Sequence, residues 1–332
     1  MKKLISQSIF INKCLFYYGY YFFKIFGITP YYSHRAMINL YCFTNGKFIN
    51  FFNDKFKNKL KYPVKISSDF FDKISNLEYE KINSELNDQG YVKLKYLLKK
   101  KIVDKLLSAS QSLNAIVDGK ETKFNVNNIQ SNIYRFKYND LINNEIIQEL
   151  IMDPVLINLA RNYFNQEPIF DFAAMWWSTD YEIKKEDAAQ EYHFDFDRPK
   201  WLKIFFYLTD VNENNGPHCY ISSSHKQDSK PLEILKKGYV RIKDDELKQY
   251  YSQDQFKEIK GPPGTILLGD TLCWHKGKPI TKGNRLILQL EFTTSLFGLN
   301  TPAAIIKKPN KKFIDFCSNN KFYVQNINLD NN

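Results

Sequence analysis

After Pro168 the texture of this chain changes, and that change limits what it can fold into. Upstream, apolar residues recur at helical spacing among charged ones. Ile74, Leu77, Ile82 and Leu86 form one such series, ended by Gly90; Ile102, Leu106, Leu107, Leu113 and Ile116 mark a second helix over 101–117. A third helical region, 142–164, divides at Asp153-Pro154, an N-cap followed by a first-turn proline. Tyr91-Val92-Lys93-Leu94 alternates as a short strand does. Downstream come short runs rich in aromatic and β-branched residues: 169–178, 188–195, 202–208, 218–222, 265–268, 271–275 and 285–293. Turns separate them at Asn214-Asn215-Gly216-Pro217, Gly261-Pro262-Pro263-Gly264 and Lys282-Gly283-Asn284. The more polar 223–260 reads as an insertion, with a helix over 244–249. Helices first and many short strands afterwards predict an α+β chain ending in a β-barrel or sandwich.

Length and charge narrow the possibilities. At 332 residues the chain buries a sizeable core. Its net charge of +11 suggests nucleic acid or anionic membrane as a partner, but the charge is unevenly spread. Residues 1–65 carry eleven basic side chains against Asp54 alone, and 301–332 carry five lysines against Asp315 and Asp330. The body, 66–300, holds 31 basic and 33 acidic residues and is nearly neutral. We therefore divide the chain into a basic aromatic N-terminal extension (1–65), a body (66–300) and a basic C-terminal tail (301–332). No nucleic-acid motif accompanies the basic ends, so no nucleic-acid partner is expected. The five cysteines are scattered with no CxxC pair, which argues for reduced thiols in the cytoplasm over a disulfide framework or a zinc knuckle.

The N-terminal stretch opens Met1-Lys2-Lys3 and runs apolar and aromatic to Pro30, in outline like a secretion signal. Lys13 and Lys24 interrupt it, and no small-residue cleavage site follows. Its uninterrupted apolar run, 14–23, has ten residues, half of the roughly 20 that cross a bilayer. Two expectations remain: an extension packed on the body, or a segment lying peripherally on an anionic membrane, with Tyr and Phe at the headgroup boundary and Lys near the lipid charge.

Five histidines invite individual attention. His193 and Asp195 sit two apart in Glu191-Tyr192-His193-Phe194-Asp195, so strand alternation points both to one face. His275 follows Gly269-Asp270-Thr271-Leu272-Cys273-Trp274 at the end of another strand. Two imidazoles and one carboxylate make the facial triad of non-haem Fe(II) oxygenases, which leaves coordination positions open for a chelating co-substrate and O2. Asp197 shares the face and is the alternative carboxylate. An HxD pair alone is weak, since a polar pair on a sheet face has the same look. Arg285 strengthens it: it lies ten residues after His275 on the strand that also turns Ile287 and Gln289 to its face, and a buried guanidinium requires an anion.

These segments resemble the phytanoyl-CoA hydroxylase family of Fe(II)- and 2-oxoglutarate-dependent dioxygenases. The likeness runs over about 75–295, through Gln190–Asp195, 202–211 with Asn215-Gly216-Pro217, Ser223-Ser224-His225-Lys226, 269–275 and 285–292. It implies a double-stranded β-helix (jelly-roll, cupin-like) core with flanking helices, and makes 66–300 the dioxygenase domain. It implies His193, Asp195 and His275 as Fe(II) ligands and Arg285 on the distal carboxylate of 2-oxoglutarate, with O2 as the third reactant. Tyr207 falls where relatives place an aromatic residue against 2-oxoglutarate, and Lys203 shares its face as a further carboxylate contact. Gln190, Trp176 and Trp201 are the substrate-side expectations. His225 corresponds to a structural loop histidine, His218 reads as a satisfied sheet residue, and His34 shows no partner. The pattern departs from the family at Gly277, where some relatives offer a hydroxyl, and at Ser223-Ser224, where a glycine is usual. The implied activity is hydroxylation of a small or lipid-like molecule with release of succinate and CO2. A jelly-roll metal- or ligand-binding protein without turnover is the alternative.

Overall fold

The computed structural model describes residues 8–58, 68–71, 74–181, 191–307 and 309–330. In chain order the strands are β1 (Tyr91–Leu97), β2 (Ala115–Val117), β3 (Lys120–Thr122), β4 (Ile133–Phe136), β5 (Ile169–Thr179), β6 (Trp201–Tyr207) and β7 (His218–Ile221). They continue with β8 (Phe256–Ile259), β9 (Thr265–Asp270), β10 (His275–Gly277), β11 (Asn284–Thr293), β12 (Ala304–Ile306) and β13 (Ile327–Leu329). Helices α1 (Ile9–Phe26), α2 (Tyr31–Thr44), α3 (Ile49–Lys55), α4 (Asn76–Gln89) and α5 (Lys100–Ser112) lie in the N-terminal third. After them come α6 (Tyr138–Ile142), α7 (Glu145–Ile151), α8 (Pro154–Phe164), α9 (Leu232–Leu235), α10 (Asp244–Leu247) and α11 (Lys311–Asn319).

Two antiparallel sheets carry the fold. The larger runs β1-β9-β6-β11-β5-β4-β2-β3 and the smaller β10-β7-β8. Alternation sorts each central strand. On β11, Leu286, Leu288, Leu290 and Phe292 join a core with α4, α5, α7 and α8, while Ile287 packs inward beside Phe205, Tyr207 and Leu267. Tyr220 and Ile259 of the smaller sheet close that interior from the other side. This is the α+β jelly roll, or double-stranded β-helix. Sequence cues for the helices hold locally: Ser75 and Glu78 form a capping box at α4, which Gly90 ends at φ 82°. Asp153 accepts from the amides of Val155 and Leu156 at the start of α8.

The outer face of the smaller sheet is covered by α1–α3. Phe16, Met37, Tyr41 and Phe52 share one buried cluster with Tyr192, Phe194, Phe196 and Trp274. Residues from 9 to 56 thus pack on the body, as one of the two expectations for this stretch had it. The C-terminal residues also pack: Phe313 and Tyr323 lie in the core with α7 and α8, and Phe170 donates its amide to the Tyr323 carbonyl at 2.8 Å.

Three expectations about elements need correction. The helix predicted over 101–117 stops at Ser112, and Ala115–Val117 turns back as β2 through Asp118 (φ 47°) and Gly119 (φ 78°). That Asp-Gly pair is a hairpin signal which outranks helical spacing. Among the described residues of 188–195 there is no strand, only single bridges Tyr192↔Ile242 and His193↔His275. Residues 271–274 form a turn, and pairing begins at His275; β8 is an additional strand inside the insertion.

Candidate active site

His193 and His275 are held by each other's backbone. The His193 amide donates to the His275 carbonyl at 3.0 Å, and the His275 amide to the His193 carbonyl at 2.8 Å. The Asp195 amide donates to Thr271 O at 2.7 Å, which ties the same segment to the turn before β10. Phe194 and Phe196 are buried against Tyr41 and Phe52 of the N-terminal helices and Tyr192 against Phe256 of β8, so the residues between them face the interior. Each imidazole is then oriented from behind. His193 Nδ1 lies 2.9 Å from Glu191 O and His275 Nδ1 2.8 Å from Cys273 O. A carbonyl can only accept, so Nδ1 carries the proton and Nε2 presents its lone pair forward. One donor atom from each of His193, Asp195 and His275 lies within 4.8 Å of the others, a set that can hold a metal ion. Burial, followed by the neighbouring His275, pushes His193 down to about 3, so it is neutral and free to ligate near pH 7.

The carboxylate has its own support. Burial pushes Asp195 up, but Lys203 and both imidazoles outweigh it and leave the group well below the usual carboxylate range. Lys203 Nζ sits 2.8 Å from Asp195 Oδ2 and 3.8 Å from Glu291 Oε1, and Tyr239 Oη donates to Asp195 Oδ1 at 3.3 Å.

These groups open onto a cavity of about 360 Å³ between the sheets. Arg285 lines it, 5% exposed, with Nη2 3.4 Å from Ser178 Oγ and with Nε and Nη1 lacking any hydrogen-bond partner among the described residues. Burial pulls its guanidinium down to about 10. An Arg fork buried with two idle donors is the feature a planar carboxylate satisfies. The donor set and this fork together fit Fe(II) with 2-oxoglutarate: nitrogen and carboxylate ligands with open positions, and an anion site in the same cavity.

The remaining expected residues divide. Trp176 lines the cavity. Trp201 does not; it lies under Lys203, whose ammonium is 4.4 Å from its ring, and faces a separate recess with Tyr163 and Asp270. Tyr207 is fully buried behind the cavity wall, with its hydroxyl donating to Ile259 O at 2.9 Å and 3.2 Å from His218 Nδ1. Phe205, two residues earlier on the same face, lines the cavity instead. Gln190 lies outside the described residues. His34 has an ionic neighbour, since its Nε2 lies 3.3 Å from Asp197 Oδ1 without forming a hydrogen bond, and Asp197 is not in the His193–Asp195–His275 cluster. His225 Nε2 is 3.0 Å from Asn87 O, in its loop and apart from the cluster.

Sequence reasoning missed Arg135, Ser178, His218 and Glu291 as cavity residues. Glu291 was within reach, because the alternation that pairs Arg285 with Gln289 continues to it. Ser178 and Arg135 depend on the β11–β5 and β4–β5 registers, which only the folded sheet supplies.

Among solved structures, the chain is similar to HygX from Streptomyces hygroscopicus with nickel and 2-oxoglutarate bound: 17% identity over 70% of this chain and 92% of that one, TM-score 0.49. It is likewise similar to apo EctD from S. alaskensis, at 17% identity over 74% of this chain and 88% of that one, TM-score 0.49. No curated protein matches. The profile of the phytanoyl-CoA dioxygenase (PhyH) family matches residues 86–286, which hold the His-Asp-His cluster and Arg285. The chain therefore belongs to the phytanoyl-CoA dioxygenase family and is an oxygenase that uses Fe(II), 2-oxoglutarate and O2.

Proposed function

We propose that this oxygenase hydroxylates a small molecule, with Fe(II) held by His193, Asp195 and His275 and the distal carboxylate of 2-oxoglutarate held by Arg285. The observation that carries the reading is the pair of forward-facing Nε2 atoms beside Asp195, in one cavity with an Arg whose Nε and Nη1 have no partner among the described residues. When bound, iron and 2-oxoglutarate supply activation of O2, with one oxygen atom entering the substrate C–H bond and the other leaving in succinate beside CO2. The chain's own part is positional. Carbonyls of Glu191 and Cys273 fix the two imidazoles, Lys203 fixes the carboxylate, and Arg285 fixes the far end of the co-substrate. Phe172, Trp176 and Phe205 supply the apolar part of the cavity wall beside them. Anaerobic titration of the wild-type protein with Fe(II) and 2-oxoglutarate tests this. A visible charge-transfer band and, on admitting O2, succinate release are expected; their absence would sink the proposal.

Lys203 is assigned to orienting Asp195, in place of the direct 2-oxoglutarate contact expected from its sequence position. Outer partners of metal ligands typically contribute about 10–100-fold to metal affinity. Lys203→Met is expected to weaken Fe(II) binding by about that factor, read by equilibrium metal titration, while raising the KM for 2-oxoglutarate less than the loss of Arg285 does.

A second, separate proposal concerns the partner surface. Phe10, Tyr18, Tyr21, Ile25, Phe26 and Tyr31 are all at least half exposed along α1 and the start of α2, beside Lys13, Lys24 and Arg35. No helix among the described residues is long and apolar enough to cross a membrane. We infer that this face lies on an anionic bilayer surface, where aromatic side chains enter the headgroup region and the cations meet lipid charge. Removing residues 1–65 would also uncover Phe194 and Trp274, so point changes are the cleaner probe. Phe10→Ser with Tyr21→Ser and Ile25→Ser is expected to cut co-sedimentation with phosphatidylserine vesicles at least fivefold. Equal sedimentation would refute the assignment.

A further inference from the structure

Arg285 occupies one end of the cavity. Along β11 from Arg285 the cavity wall continues through Gln289 and Glu291, with Trp176, Ala174 and Phe172 following in step on β5. The register sets Gln289 against Ala174 and Phe205, and Glu291 against Phe172 and Lys203. Both polar residues are buried, at 8% and 6% exposure, in strands that otherwise bury apolar side chains. Gln289 Nε2 donates to Glu291 Oε1. Glu291 Oε2 and Gln289 Oε1 form no hydrogen bond among the described residues and stay open to the cavity.

The nearby cation does not account for this pair. Lys203 stands 3.8 Å from Glu291 but 2.8 Å from Asp195, so its charge is committed chiefly to the latter. Burial pushes the Glu291 carboxyl up to about 7 despite Lys203. A carboxylate and an amide oxygen opened to a cavity take a donor from whatever fills it, and a molecule that displaces water there must supply that donor itself. Groups of this kind, left in a cavity wall beside a reactive centre, mark recognition. On the same sheet, the Trp176 ring of β5, set against Ile287 in the register, adds a flat apolar surface to the cavity wall, with the Arg135 guanidinium 5.7 Å from its centre.

We propose that Gln289 and Glu291 are the substrate-recognition pair, and that the substrate is a polyhydroxylated or aminated ring compound. Its hydroxyl or amine groups donate to the two side chains while its apolar face lies on Trp176. The inference rests on the Fe(II) and 2-oxoglutarate reading of the same cavity and adds the substrate class. Glu291 is separated from Asp195 by one ammonium group, so a donor bound there lies close to the proposed metal ligands. A long acyl chain is disfavoured. The cavity of about 360 Å³ lies near the lower end of the roughly 300–1,000 Å³ usual for small-molecule sites, and 2-oxoglutarate takes part of it. An alkyl chain would also leave both oxygens without a donor.

The test starts from wild-type protein loaded anaerobically with Fe(II) and 2-oxoglutarate, whose charge-transfer band is recorded before any substrate is added. Two probe sets are then compared: methyl glucoside, glucosamine and myo-inositol against octanoate and palmitoyl-CoA. At least one polar probe is expected to shift the band, raise Tm and stimulate succinate release on admitting O2. Glu291→Leu and Gln289→Leu are each expected to raise its half-saturating concentration at least about tenfold, and Glu291→Gln less, because the amide keeps one acceptor. Tm of the probe-free variants checks folding, and Glu291→Gln supplies the measurement if the leucine variant does not fold. A response confined to the acyl set, or to neither set, overturns the substrate class. Lack of the band before any probe is added would overturn the iron and 2-oxoglutarate reading itself, which separates the two failures.

Discussion

Asp195→Ala is expected to abolish the charge-transfer band with Fe(II) and 2-oxoglutarate, and to cut succinate formation by at least about a thousandfold, some 4 kcal/mol of barrier. The effect is large because the substitution does two things at once. It removes the one anionic oxygen donor of the cluster, and it leaves the Lys203 ammonium beside the metal position with Glu291, 3.8 Å away, as the nearest acid. Breaking one side of a buried pair in this way typically costs about 3–5 kcal/mol of stability. Tm should therefore fall in Asp195→Ala and recover in large part when Lys203→Met is added, while turnover stays lost. That pattern separates ligation from folding: recovered Tm with recovered turnover would mean Asp195 is structural, and a band persisting in the single variant would remove it from the ligand set.

Arg285→Leu is the second large effect, and its two readouts move in opposite directions. Two charge-assisted hydrogen bonds at about 1.5–3 kcal/mol each place the expected rise in the 2-oxoglutarate KM above about a hundredfold. The protein without co-substrate should become more stable. Its guanidinium is buried, has only Ser178 Oγ within hydrogen-bond range among the described residues, at 3.4 Å, and is already pulled down to about 10 by burial. Replacing a stranded charge by an apolar side chain relieves that cost. A gain of about 1 kcal/mol corresponds to roughly 2 °C in Tm. A normal KM would exclude Arg285 from the co-substrate site, and a lower Tm would show that the guanidinium has structural work elsewhere.

How far the site could be read from sequence follows from what each residue depends on. His193, Asp195, His275 and Arg285 were legible because local spacing places them: two residues apart, or at a strand's entrance. The order of helices and strands was legible for the same reason. What failed was relational. Asp197 could be discounted only once α2 brought His34 to it, and Trp201 once Lys203 was seen lying on its ring. Tyr207 and Phe205 share one face of β6, and which of them meets the cavity depends on how far His218 and Ile259 intrude from the opposite sheet. The helix over 101–117 failed locally instead, because apolar spacing continues through Leu113 and Ile116 while Asp118-Gly119 demands a tight turn. Charge counting misjudged the opening residues: it recorded eleven cations and gave no account of Phe16 or Phe52, which are wholly buried.

In the segment that carries His193 and Asp195, two of the proposed ligands, side chains that face the cavity alternate with Phe194 and Phe196, which pack against Tyr41 of α2 and Phe52 of α3. The family profile matches residues 86–286, which hold the proposed ligands but not the three helices packed behind them. A relative with a different N-terminal segment must brace the same histidine and aspartate from another direction. Transplanting this jelly roll without its first three helices would move a catalytic strip whose stiffness was left behind.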